Sequence, residues 1–145
     1  MTVGRICVRE VDLAEPNDSV QSAAQRMHSR NVGTLVVLDP ARKPIGIVTD
    51  RDLVIRVLAE GRDATQVTVD EVMTQDLRTI DEDCPIEAAL EAMRAGPFRR
   101  VPVVNRKGEL TGLLSIDDVL DLLAEEFRSI GALLHEEDPR RMAEV

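Results

Sequence analysis

A repeat of 66 residues constrains this chain more than any other feature. Shifted by 66 positions, the two halves align without a gap. Thr2-Val3 falls on Thr68-Val69, and Val20, Ala23, Ala24 and Met27 fall on Ile86, Ala89, Leu90 and Met93. Thr34-Leu35-Val36-Val37-Leu38 falls on Arg100-Val101-Pro102-Val103-Val104, and Gly46-Ile47-Val48-Thr49 on Gly112-Leu113-Leu114-Ser115. Asp52 falls on Asp118. Identities are few, but apolar character is kept at matched positions. A period this long exceeds common solenoid units and marks a duplicated small domain. The copies are assigned to residues 1–65 and 66–132, and a charged tail fills 133–145. Residues 62–67 form a polar linker too short to let the halves drift apart.

Each copy predicts the same order of elements. Val11–Ala14 and Leu77–Ile80 read as short extended stretches. Val20, Ala23, Ala24 and Met27 are spaced i, i+3, i+4, i+7, one face of an α-helix, with Asp18-x-x-Gln21 as its capping box. In the second copy Pro85 suits a first helical position. Thr34–Leu38 is short, apolar and β-branched, hence a strand; Asp39–Arg42 is a turn and Ile45–Val48 a second strand. A helix opens at Thr49 and ends before Gly61. The second copy repeats this with strands at Val101–Val104 and Leu110–Leu114 and a helix from Ser115. The unit is β-α-β-β-α, an α/β (α+β) class. It is too small to bury its apolar face alone, so the two copies should pack sheet to sheet about a pseudo-two-fold axis. Beyond the second helix, Phe127, Ile130 and Leu134 share a face and suggest a packing or dimer contact, and Asp138-Pro139 should end the helix.

Composition removes several functional classes. The 145 residues carry a net charge of −9 and include two Phe, no Tyr and no Trp. That argues against general binding to a phosphate backbone and against stacking platforms for single-stranded nucleic acid. No apolar run approaches the ~18 residues of a membrane helix, and the N-terminus has no signal-peptide pattern, so the expected location is cytoplasmic. Cys7 and Cys84 are too few for a disulfide framework, and His28 and His135 sit in no metal-binding cluster. Met27 and Met93 read as core filler, His28 as surface, and Cys7 as apolar because it aligns with Met73.

The junction of the last strand and second helix reads G-h-h-[ST]-x-x-D in both copies, Gly46 to Asp52 and Gly112 to Asp118. Two readings share these atoms. A hydroxyl at a helix start with an acid three positions on is a capping box. Alternatively, the helix N-terminus and hydroxyl hold a phosphate while the carboxylate accepts bonds from vicinal ribose hydroxyls. Arg99 and Arg100, which stand where copy one has Gly33 and Thr34, are likewise either a solvated pair or a phosphate contact. Arg51 is a second candidate for the phosphate.

The duplicated unit, with this motif closing each copy, resembles a tandem cystathionine-β-synthase (CBS) domain pair, or Bateman module, of the stand-alone bacterial type. Ala14–Val20, Asp70-Glu71-Val72-Met73-Thr74, Val32–Val37 and Arg99–Val104 carry the resemblance further. It implies a regulatory module that binds adenosine ligands such as AMP, ADP, ATP, S-adenosylmethionine or NAD. Carried over, one cleft would use Leu13, Ala14, Thr34, Leu35, Val36, Thr49 and Asp52, and the other Thr79, Ile80, Arg100, Val101, Pro102, Ser115 and Asp118. No catalytic residue, metal or obligatory cofactor is implied. The expected partners are an adenosine compound, a second copy in a homodimer and a regulated protein. The competing hypothesis is a CBS-scaffold interaction module with no nucleotide; an enzyme is disfavoured, because no nucleophile–base pair or metal cluster is visible.

Overall fold

The computed structural model describes residues 1–96 and 98–136. The elements run α1 (Val3–Ile6), β1 (Leu13–Ala14), α2 (Val20–Arg30), β2 (Thr34–Leu38), β3 (Pro44–Thr49) and α3 (Asp50–Leu53), which continues as a π-helical turn over Val54–Leu58. The second half gives α4 (Val69–Val72), β4 (Ile80–Asp81), α5 (Ile86–Ala95), β5 (Arg100–Val104), β6 (Leu110–Ser115) and α6 (Ile116–Glu136). The expected β-α-β-β-α unit is present twice, each preceded by a one-turn helix that the sequence did not announce.

Two three-stranded sheets result, ordered β1-β2-β3 and β4-β5-β6. In each the first strand is parallel and the last antiparallel to the centre. The antiparallel registers are the same after a shift of 66: Leu35 pairs with Val48 and Val101 with Leu114, and both ladders slip at the fourth residue of the central strand, after Val37 and Val103. The central strands are apolar on both faces because both faces are covered. On β2, Leu35 and Val37 enter a core with Ala23 and Met27 of α2. Val36 and Leu38 point the other way and meet Leu110, with Ile47 and Leu113 packed alongside. That apolar layer joins the sheets about the pseudo-two-fold axis.

The packing does not follow chain order. Val69 and Val72 of α4 lie in the first core, whereas Val3 of α1 and Cys7 lie in the second, against Val101 and Leu114. Two short bridges fix the exchange: Val8 pairs with Leu113, and Thr74, its 66-residue equivalent, with Ile47. The motif glycines allow these crossings. A Cβ at Gly112 would lie 2.6 Å from the Cys7 sulfur and 2.9 Å from the Val8 carbonyl oxygen. One at Gly46 would lie 2.3 Å from the Met73 sulfur.

Local details differ from expectation in two places. The cap of α2 is Ser19, whose hydroxyl accepts from the Ser22 N–H at 3.1 Å; Asp18 instead accepts from the Glu15 N–H and from Arg26. Pro85 is the cap residue of α5 and not its first helical residue. The linker is pinned to α2, because Val20 and Gln21 donate their N–H groups to Val67 and Ala64. As expected, Met27 and Met93 are buried, His28 is exposed and the last helix runs on past Phe127. The expected stop at Asp138-Pro139 lies outside the described residues. No helix among them is long and apolar enough to cross a membrane.

Candidate nucleotide cleft

Both G-h-h-[ST]-x-x-D motifs form the capping box. Asp52 accepts from the Thr49 N–H at 2.9 Å, and the Thr49 hydroxyl accepts from the Asp52 N–H at 3.2 Å. Ser115 and Asp118 repeat this at 2.9 and 3.2 Å. Each cap engages only one carboxylate oxygen, so the capping and ligand roles are compatible. The second oxygens differ. That of Asp52 stands 4.0 Å from the Arg56 guanidinium, one turn along. The equivalent of Arg56 is Leu122, and Asp118 has no ion-pair partner among the described residues.

The helix starts differ as well. At α3 the first four N–H groups are all satisfied: Thr49 by Asp52, Asp50 by the Gly33 carbonyl, Arg51 by the Asp50 carboxylate and Asp52 by Thr49. At α6 the residue matching Asp50 is Ile116, which has no side-chain acceptor. Ile116 N–H is bound to the Arg99 carbonyl at 2.9 Å, but Asp117 N–H has no acceptor among the described residues. A free N–H at a helix N-terminus favours an anion there.

Two hollows adjoin these helix starts. One, about 300 Å³, is lined by Val8, Glu10, Val11 and Asp12, by Val32, Gly33 and Thr34, and by Arg100, Leu113, Ser115 and Asp118. Its walls come from both repeats, because the crossing at Val8–Leu113 carries the N-terminal segment over the second sheet. The volume lies at the lower end of small-molecule sites. The other hollow is lined by Gly33, Thr34, Thr49, Asp50, Arg51 and Arg100. Arg30 holds Asp12 at 2.8 Å, and that hydrogen bond raises the arginine further above its ordinary range.

The structure thus gathers Thr34, Arg100, Ser115 and Asp118 at one cleft, and Thr34, Thr49, Arg51 and Arg100 at the other. Asp52 is in the cap beside the second cleft without lining it, and Arg99 is exposed at the start of β5. Leu35, Val36, Val101 and Pro102 are fully buried, and Ile80 lies in the second core. Leu13 and Ala14 line a separate groove with Asp18 and Arg26, and Thr79 is exposed away from either cleft. The reason is topological. Each repeat's own first strand pairs on the far side of its central strand, so it cannot wall that repeat's cleft. The wall is instead residues 8–12. A clue was present in sequence, since an apolar Val8 outside any assigned element needed a partner.

Fold and site together define a tandem module, two copies of one small α+β unit around shared clefts. The CBS domain model matches residues 3–59 and 69–125, and the chain belongs to the CBS domain family. Among its relatives, an uncharacterized protein of Methanopyrus kandleri is 31% identical over 122 residues, which cover 84% of this chain and 62% of that protein. The crystal structure of the CBS domain pair of protein MJ0100, in complex with 5′-methylthioadenosine and S-adenosyl-L-methionine, superposes with a TM-score of 0.75 at 26% identity, covering 87% of this chain and 98% of that one. CBSX2 in complex with AMP gives 0.72 at 25% identity, covering 86% and 96%.

Proposed function

We propose that this protein is a regulatory sensor of adenosine ligands and not a catalyst. The reading rests chiefly on the cleft that joins Ser115, Asp118 and Arg100 to Thr34 of the other repeat. The free oxygen of Asp118 is the acceptor for ribose hydroxyls. Arg100 and the free Asp117 N–H are donors for a phosphate. Val8, Val11, Val32 and Leu113 supply apolar contact for a base where no aromatic ring is available. The adenosine compounds held by MJ0100 and CBSX2 support the same ligand class. Because Glu10, Asp12 and Asp118 also line this cleft, ligands with few phosphates suit it better than ATP.

The output passes to a protein partner, and the sensor is a homodimer. Along α6, Ile116, Leu120, Leu123, Phe127, Ile130 and Leu134 recur at intervals of four and three, the seam of a coiled coil. Phe127 is 72% and Leu134 64% exposed in the single chain. The end of α6 projects without tertiary cover, and so short a helix is marginal alone in water. A second copy presenting the same seam covers it by two-fold symmetry. The competing reading, an interaction module without nucleotide, predicts no response in a thermal-shift series of AMP, ADP, ATP, NAD and S-adenosylmethionine. The sensor reading predicts stabilisation of about 2.7 kcal/mol by the cognate ligand at 100 times its Kd.

A further inference from the structure

The pseudo-two-fold axis sets position 34 opposite position 100, and both residues line both clefts. Only one of the pair is charged, since copy one has Thr34 where copy two has Arg100. Building on the adenosine-ligand reading, we infer that Arg100 is one phosphate-pairing cation held in common by the two clefts. One chain then takes a single phosphate-bearing nucleoside at full affinity. A second binds only as weakly as the unphosphorylated nucleoside does.

Arg100 is exposed and forms no ion pair among the described residues, so its guanidinium is available to either side. A guanidinium pairs bidentately with one phosphate at a time. Other cations do not replace it. In the Asp118 cleft the remaining charged groups are Glu10, Asp12 and Asp118, and Arg30 nearby is already bound to Asp12. In the other cleft the charge of Arg51 is offset by that of Asp50 in the same wall, whose carboxylate accepts the Arg51 backbone N–H at 2.8 Å. Two phosphates drawn to one guanidinium would also repel each other at short range.

Calorimetric titration of the full chain with adenosine and with AMP tests this. Adenosine should fill two sites per chain, the Asp118 site being the tighter. AMP should bind one site about tenfold or more tighter than adenosine and the other within about threefold of it, by the strength of a charge-assisted pair. In Arg100→Ala the AMP-to-adenosine affinity ratio should fall to about one at both sites, and retained adenosine binding reports that the clefts are folded. Equal tightening by the phosphate at both sites would overturn the inference. So would a single adenosine site, or an AMP-to-adenosine ratio untouched by Arg100→Ala. Failure of the wild type to bind either compound is a different result, and it defeats the ligand reading itself.

Discussion

At Asp118 one carboxylate oxygen closes a helix cap, and the residue also lines a cleft, so a single substitution should move two quantities. Asp118→Ala should cost up to ~1 kcal/mol of stability through the cap. It should also weaken adenosine-ligand binding by roughly 1.5–3 kcal/mol, about 10- to 150-fold, through loss of a charged acceptor. Asp52→Ala loses its cap and its contact with Arg56, so its stability change should be the larger one relative to its effect on binding. Denaturant unfolding and calorimetry on the same variants separate the two. The motif glycine is steric. Gly112→Ala drives a methyl into the Val8 carbonyl and the Cys7 sulfur and should destabilise by about 1–3 kcal/mol. Gly46→Ala meets only the flexible Met73 side chain, so urea unfolding should find it the milder of the two. Burial pushes the Cys7 thiol up, despite the opposing charge of Arg9. The folded chain therefore keeps this proton at pH values where the unfolded chain has lost it. Stability from this group is full below the ordinary thiol range and declines as pH rises through and above it. Iodoacetamide at pH 8, followed by mass spectrometry, should modify half-buried Cys84 first and Cys7 only on unfolding.

Among the elements, the strands were the most legible. Thr34–Leu38 is assigned with its bounds unchanged, because a five-residue β-branched run covered on both faces has no competing period. The helices with an apolar face of two turns or more were also readable, as Val20–Met27 shows. What escaped were the four-residue helices α1 and α4, too short to show any periodicity, and the π-helical turn at Val54–Leu58. Their consequence was larger than their size. They carry the exchange between repeats, and so decide that the cleft wall is residues 8–12 and not Leu13-Ala14 or Thr79-Ile80. Hydrophobic pattern tells which face is buried but not which copy covers it, so the motif residues were visible while the pairing of walls was not. Val3 is fully buried in the second core although it belongs to the first copy. Val3→Ala should cost roughly 2 kcal/mol by lost burial, read as a lower urea midpoint. If that midpoint is unchanged, α1 does not belong to the second core in solution.

For the whole molecule, duplication supplies two similar clefts and divergence makes them unequal. Arg56 against Leu122, Asp50 against Ile116 and Thr34 against Arg100 are the differences that matter. Together they leave the Asp118 cleft with the free carboxylate oxygen and the free N–H, and both clefts with the one cation of position 100. Assembly should depend on the α6 seam. Light scattering is expected to give a dimer for the wild type and a chain of 16.0 kDa for the double variant Phe127→Asp, Ile130→Asp. Calorimetry with AMP on wild type and Asp118→Ala, under conditions where both are folded, decides whether the Asp118 cleft is a nucleotide site. The wild type should bind saturably, and the variant at least about tenfold more weakly. Equal affinity in the two proteins, or no binding to the wild type below millimolar concentration, would contradict that assignment.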